Sequence, residues 1–215
     1  MFESAELGAW EMAYFAAQSP EVNAASLLGG PGTVSLLAGY TAWREVYFGL
    51  CEAKHAFDDA LRPLEWIGPA AMQMTQAASC YSMWLSDTKD LVDETATAMR
   101  RIASACDAAR LKIVAPDRIA ENRAELQELT KTNMLEQNRA AIAVKEAEYE
   151  EYRVRNAEAM FQYANAATAA MSQVLPFEEG YEPSAHLGAT DNATCCNPHH
   201  LLADAETNRP RAQQR

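Results

Sequence analysis

One tetrapeptide, Trp66-Ile67-Gly68-Pro69, divides two long runs of helical periodicity that contain almost no other helix breaker. Gly68 suits a left-handed backbone at the end of one helix, and Pro69 suits the first turn of the next. The pattern predicts a helical hairpin with Trp66 at its tip. Along the first arm, from near Thr33, a seam runs through Leu36, Tyr40, Trp43, Tyr47, Leu50, Phe57, Leu61 and Leu64, with Lys54 as its one polar member. The steps alternate four and three without a slip, which is a heptad pattern. Lys54 is expected to lay its stem along the seam and put its ammonium at the edge, and Pro63 to loosen the last turn. The second arm, from Ala70 to about Ala115, carries its own seam, which includes Met74, Tyr81, Leu85, Val92, Met99, Ile102 and Ile113.

The rest of the chain also reads as helix. Residues 1–18 look like an extension with a weak helical tendency. Ser19-Pro20-Glu21 is a helix start: Ser19 caps, Pro20 fits the first turn and Glu21 favours the positive end of the dipole. Gly29-Gly30-Pro31-Gly32 ends that short helix. Pro116 breaks the second arm, and Asp117 can cap an amphipathic helix that stops near Thr132-Asn133. Met134 and Leu135 then stand in a short polar loop ending at Asn138, where two adjacent apolar residues are hard to bury. A last helix runs from about Arg139 to Val174, with Ile142, Tyr149, Tyr152, Met160, Tyr163 and Ala167 on one face. Its charge-rich residues, Lys145, Glu146, Glu148, Glu150, Glu151, Arg153 and Arg155, read as a solvated surface. From Pro176 onward, prolines and glycines punctuate a polar tail expected to be largely disordered. The organisation is therefore an extension over 1–18, a helical domain over 19–175 and a tail over 176–215. The fold class is all-α, an elongated helical bundle built on the long hairpin.

Charge and composition narrow the function. The net charge is −12 and the pI about 4.8, with no basic stripe of the kind a nucleic-acid binder carries. No apolar run approaches the ~20 residues of a membrane span. The N-terminus lacks the basic and apolar regions of a signal peptide. Cys51, Cys80 and Cys106 fall on helical runs as buried free thiols, and the spacing of the five cysteines shows no disulfide framework. Cys195, Cys196, His199 and His200 could ligate zinc, but they sit close together in the tail with no visible second shell. No nucleophile, paired carboxylate or phosphate loop stands out, so neither enzyme nor cofactor is implied.

The order of these features resembles the N-terminal domain of the mycobacterial PPE proteins over roughly residues 10–178. Ser19-Pro20-Glu21 resembles the family's Pro-Pro-Glu start, with Ser for the first Pro. Trp66-Ile67-Gly68-Pro69-Ala70 matches its W-x-G turn, and Tyr81-Ser82-Met83-Trp84-Leu85 its Y-x-x-W-L segment. Asn122-Arg123-Ala124-Glu125-Leu126 and Thr132-Asn133-Met134-Leu135-Glu136-Gln137-Asn138 are similar to two further stretches. In the second of these, Met134 replaces an aromatic residue and Glu136 a glycine.

The resemblance implies a substrate of a type VII secretion system. Such a protein pairs with a small helical PE protein, meets an EspG-type chaperone in the cytosol, and ends outside the cell or in its envelope. Under that reading, Trp66 and Gly68 form the turn of a composite secretion signal. Asn133, Met134, Leu135, Glu136 and Asn138 form the chaperone site. The PE partner lies against Leu36, Tyr40, Trp43, Tyr47, Leu50, Phe57, Leu61, Tyr81, Leu85, Val92, Met99 and Ile102. A self-associating helical scaffold would satisfy the same heptad faces. With apolar residues on more than one face, the chain alone is expected to be poorly soluble.

Overall fold

A computed structural model of the protein describes residues 4–65 and 67–177, residues 4–9 by their backbone alone. Every regular element among them is helical: α1 (Ser4–Ala16), α2 (Pro20–Leu28), α3 (Val34–Leu61), α4 (Pro69–Lys112), α5 (Pro116–Lys131) and α6 (Arg139–Met171). The all-α expectation holds. Trp66 and the tail from residue 178, with its cysteines and histidines, lie outside the described residues.

Local chemistry sets most helix ends. The Ser19 hydroxyl accepts from the Val22 N–H at 3.3 Å, and Pro20 opens α2. α3 stops at Leu61, three residues short of the seam's last member. Pro63 restricts the residue before it and offers no N–H to a continuing helix. α4 stops at Lys112 for a related reason. Ala115 is extended (φ −63°, ψ 145°) ahead of Pro116 and is itself the N-cap of α5. The expectation that Asp117 caps α5 is thus corrected: with Pro116 in the first turn, Asp117 already lies inside the helix.

The chain divides into two compact units, one of Met1–Phe48 with Leu91–Pro176, the other containing Gly49–Asp90. In the first, α6 is the central strut, with α1, α2 and α5 all against it. Ala24, Leu27, Cys106, Ala109, Ile113, Val114 and Ile119 form a buried cluster, closed over by Tyr149, Tyr152, Met160 and Tyr163 from α6. Full burial of a side chain such as Ile119 contributes about 1.5–3 kcal/mol. A second cluster joins Ala98 and Ile102 to Ala170, with Leu36, Ala167 and Val174 against it. The expected apolar face of α6 is therefore the one that meets the core. Residues 1–18 do more than expected: α1 lies on α6, its C-terminal end held by Arg153 Nη1, which donates to the Ala16 carbonyl at 2.7 Å.

Buried amides tie the strut to its neighbours. Asn156, with no exposed surface, accepts from the Val114 N–H at 2.7 Å and donates to the Pro20 carbonyl at 2.9 Å. One side chain thus satisfies the corner between α4 and α5 and the start of α2. Asn122 donates from α5 to the Lys145 carbonyl at 3.1 Å and to the Glu148 carboxylate at 3.0 Å. Asn23 donates to the Phe15 carbonyl at 3.0 Å, linking α2 to α1.

Two sequence expectations fail here. The charged residues of α6 are not uniformly solvated. Lys145 is half-buried and bridges Glu125 at 2.7 Å and Glu148 at 3.0 Å. Arg155 Nε donates to the Lys112 carbonyl at 2.7 Å. These side chains lie on the flanks of the buried face, where they reach neighbouring helices. Among the cysteines, Cys106 is buried and free and Cys51 half-buried and free, but Cys80 is disulfide-bonded rather than a free thiol.

Replacing Asn156 by Ala strands the buried Val114 N–H and removes the side-chain bond to the Pro20 carbonyl. The expected loss is about 2–4 kcal/mol, read as a lower urea midpoint at unchanged slope. Asn165→Ala, on the exposed side of the same helix, should stay within about 0.5 kcal/mol of the parent.

Candidate partner-binding surfaces

Exposed apolar side chains occur on most of the described helices, Trp10 and Leu111 among them; helix α3, the turn before α4 and the loop between α5 and α6 are the places where they coincide with the expected binding residues. In 28 residues α3 has no buried one. In the first unit, Leu36, Tyr40, Trp43 and Tyr47 are half-buried, while Val34 (77%), Leu37, Val46 and Phe48 (55%) stand exposed. The seam faces α4, and α3 passes it closely: a Cβ built on Gly39 would sit 2.8 Å from Met99 Sδ. The Arg44 guanidinium lies over the rings of Tyr47 (4.5 Å) and Phe48 (4.9 Å) and pairs with Asp93 of α4. Of the expected partner-facing residues of α4 in this unit, Val92 and Ile102 are buried and Met99 half-buried.

In the second unit, Leu50, Phe57 and Leu61 are half-buried, and Leu85 is buried. Phe57 meets Tyr81 edge to face at 4.8 Å, and Tyr81 stacks on Trp84 at 5.7 Å. Lys54 directs its ammonium to Asp58, one turn on, at 2.7 Å. Asp58 in turn accepts from the Ser82 hydroxyl of α4 at 2.8 Å. The hydrogen bond from Lys54, then that from Ser82, holds the Asp58 carboxyl below the usual carboxylate range. Beside this pair, Leu61, Leu64, Met74, Ala78 and Met83 line an open groove of about 330 Å³.

At the turn, Gly68 has φ +119° and its carbonyl accepts from the Ala71 N–H at 3.1 Å. A Cβ at this position would meet nothing within 4 Å, so backbone conformation alone calls for glycine. Ile67, the residue between Trp66 and Gly68, is fully exposed (101%), and Met72 is exposed in the first turn of α4.

The loop between α5 and α6 is short and tightly braced. Asn138 Nδ2 donates to the Leu129 carbonyl at 2.9 Å and to the Thr132 hydroxyl at 2.8 Å. The Asn138 N–H donates to Asn133 Oδ1 at 2.9 Å, and Gln137 Nε2 to the Thr132 carbonyl at 3.2 Å. Glu136, with φ +56°, is the one non-glycine residue of positive φ among the described residues. The bracing leaves Met134 (88%) and Leu135 (84%) on the outside. The polar residues of this stretch are the frame and the apolar pair is what the frame displays.

Sequence reasoning missed Leu37, Val46 and Phe48 on α3, because it followed a single seam and these positions fall beside it. It missed Ile67 because the variable position of a motif draws no notice. Among the described residues no group of three His, Cys, Asp or Glu side chains could hold a metal ion. No described helix is long and apolar enough to cross a membrane.

The PPE family model matches residues 14–175 of the chain. Among similar proteins of Mycobacterium tuberculosis, PPE family protein PPE18 is 43% identical over 185 residues, 85% of this chain and 47% of that protein. An uncharacterised PPE family protein, PPE42, is 38% identical over 175 residues, covering 78% of this chain and 30% of its own length. Transporter PPE51 is 37% identical over 182 residues, 83% of this chain and 48% of that one. The chain spans less than half the length of these relatives.

The Asp58 geometry has a pH signature. A carboxyl whose pKa is depressed by folding stabilises the fold above its ordinary pKa, near 4, and loses that contribution as pH falls through the folded value. Amide exchange in residues 54–61 and 75–85 should therefore quicken, relative to intrinsic rates, between pH 6 and pH 3. In Asp58→Asn that acid sensitivity should shrink.

Proposed function

The chain belongs to the PPE family, and from that membership we propose that it is a type VII secretion substrate that travels as a heterodimer with a small helical PE-type protein. The observation that carries the proposal is α3, 28 residues long without one buried side chain. A helix so rich in Leu, Tyr, Trp and Phe leaves much apolar surface to solvent, and a partner helix laid along it removes that surface at about 25 cal/mol per Å². In this reading α4 supplies the floor and the partner covers what α3 leaves open. The role is one of assembly and export rather than catalysis.

The loop between α5 and α6 is assigned to an EspG-type cytosolic chaperone. Two apolar side chains more than four-fifths exposed, on a loop locked by side-chain to backbone hydrogen bonds, form a preorganised contact. Gly68 and the neighbouring Trp66 are assigned to the export signal. The same open α3 would admit a second copy of the chain. Light scattering of the protein with and without a PE-type protein decides between the two: a complex of one copy of each supports the heterodimer, a lone homodimer the scaffold.

Leu135→Asp should reduce chaperone binding more than about a hundredfold, because a carboxylate buried without a partner costs several kcal/mol. The PE-type heterodimer should survive, as co-purification would show, and unchanged circular dichroism would confirm the helices. Chaperone binding at parental strength would remove the docking role.

Gly68→Ala should lower export measured in culture filtrate while the heterodimer still assembles. The substitution strains a backbone at φ +119° without a steric clash, so its effect stays at the turn. Equal loss of export and of pairing would make the turn a folding element only.

A further inference from the structure

We propose that Glu136 selects the partner of the α5–α6 loop by presenting its carboxylate to a basic rim around the apolar site that receives Met134 and Leu135. The inference rests on the reading of this loop as the chaperone site. Glu136 holds φ +56°, a conformation that disfavours any residue with a Cβ and that glycine adopts freely. Strain of this kind persists where the surroundings over-determine it. Here they do: Asn133, Gln137 and Asn138 fix the backbone on both sides, and the Glu136 carbonyl accepts from the Arg139 N–H at 3.2 Å.

The fold makes little use of the side chain itself. The Glu136 carboxylate lies 3.7 Å from the Arg139 guanidinium, with the two side chains 79% and 83% exposed. A pair so exposed contributes little to stability. The carboxylate nonetheless is exposed within two residues of Met134 and Leu135, the two apolar residues the loop holds outward. A partner that buries those two must take in the charge beside them. Lys or Arg at the rim pairs with it, whereas an acidic or closed apolar rim is refused, so specificity arises by repulsion as well as attraction.

The test uses the full chain co-purified with its PE-type partner. It is titrated against two EspG-type chaperones, one with a basic and one with an acidic rim to the apolar site, at about 50 and 300 mM salt. The strain is present in the free and the bound loop alike and cancels in the affinity, so Glu136→Gly isolates the carboxylate. The parent should favour the basic-rimmed chaperone by about tenfold or more at low salt, and less at high salt. Glu136→Gly should lose both the preference and its salt dependence, and Glu136→Lys should reverse the preference. Circular dichroism confirms that each variant keeps its helices. If Glu136→Gly keeps the parental preference and salt dependence while Leu135→Asp abolishes binding, selection by Glu136 is overturned and the docking site stands. If Leu135→Asp binds like the parent, the docking reading itself fails, and this inference with it.

Discussion

One buried amide ties together three elements of the first unit at a point where the chain itself leaves a polar group without a partner. Asn156 reaches from the middle of α6 to the corner where α4 gives way to α5 and to the first residue of α2. That corner exists because Pro116 forces Ala115 out of helical conformation, which takes the Val114 N–H away from the helical ladder. A buried N–H without an acceptor is expensive, so the break in the chain and the asparagine that repairs it form one feature. Around it the small residues Ala157 and Ala159, both buried, let α6 lie close to its neighbours. The exposed loop after α5 depends on this frame, because α5 and the loop at its end are carried on α6.

Much of the architecture was legible in the sequence. Heptad spacing marked α3 and α4, and glycine and proline marked where they part. Ser19 marked the start of α2. These signals are local: they act through a few neighbouring dihedrals and survive whatever the rest of the chain does. The buried asparagines were not legible, since an Asn among Ala, Arg and Glu looks like a surface residue until the helices come together. Lys145 and Arg153 were misread for the same reason. Their long stems reach neighbouring helices, and nothing in the helix that bears them announces those partners. α1 read only as an extension with a weak helical tendency because its helix takes its support from α6, far along the chain. Trp66, on which the sequence reading placed much weight, lies outside the described residues. Its neighbour Gly68 shows the positive φ that the motif calls for.

The two kinds of exposed apolar surface differ physically. On α3 the exposure is extended, spread along a helix that the chain covers on one side only. At the loop after α5 it is concentrated in two side chains on a braced support. The first suits a large contact whose strength comes from area, the second a small contact whose strength comes from preorganisation. The two surfaces have no residue in common.

The approach of Gly39 to Met99 carries a consequence for how this sequence can drift. The position is crowded by the thioether of a pliable side chain rather than by backbone. A methyl group at 39 would push that thioether aside, and methionine has the rotatable bonds to yield. A β-branched residue at 39 would need a smaller residue at 99 to keep the two helices at their present distance. Positions 39 and 99 are therefore expected to vary together across related sequences, their volumes trading against each other while the spacing of the helices stays constant.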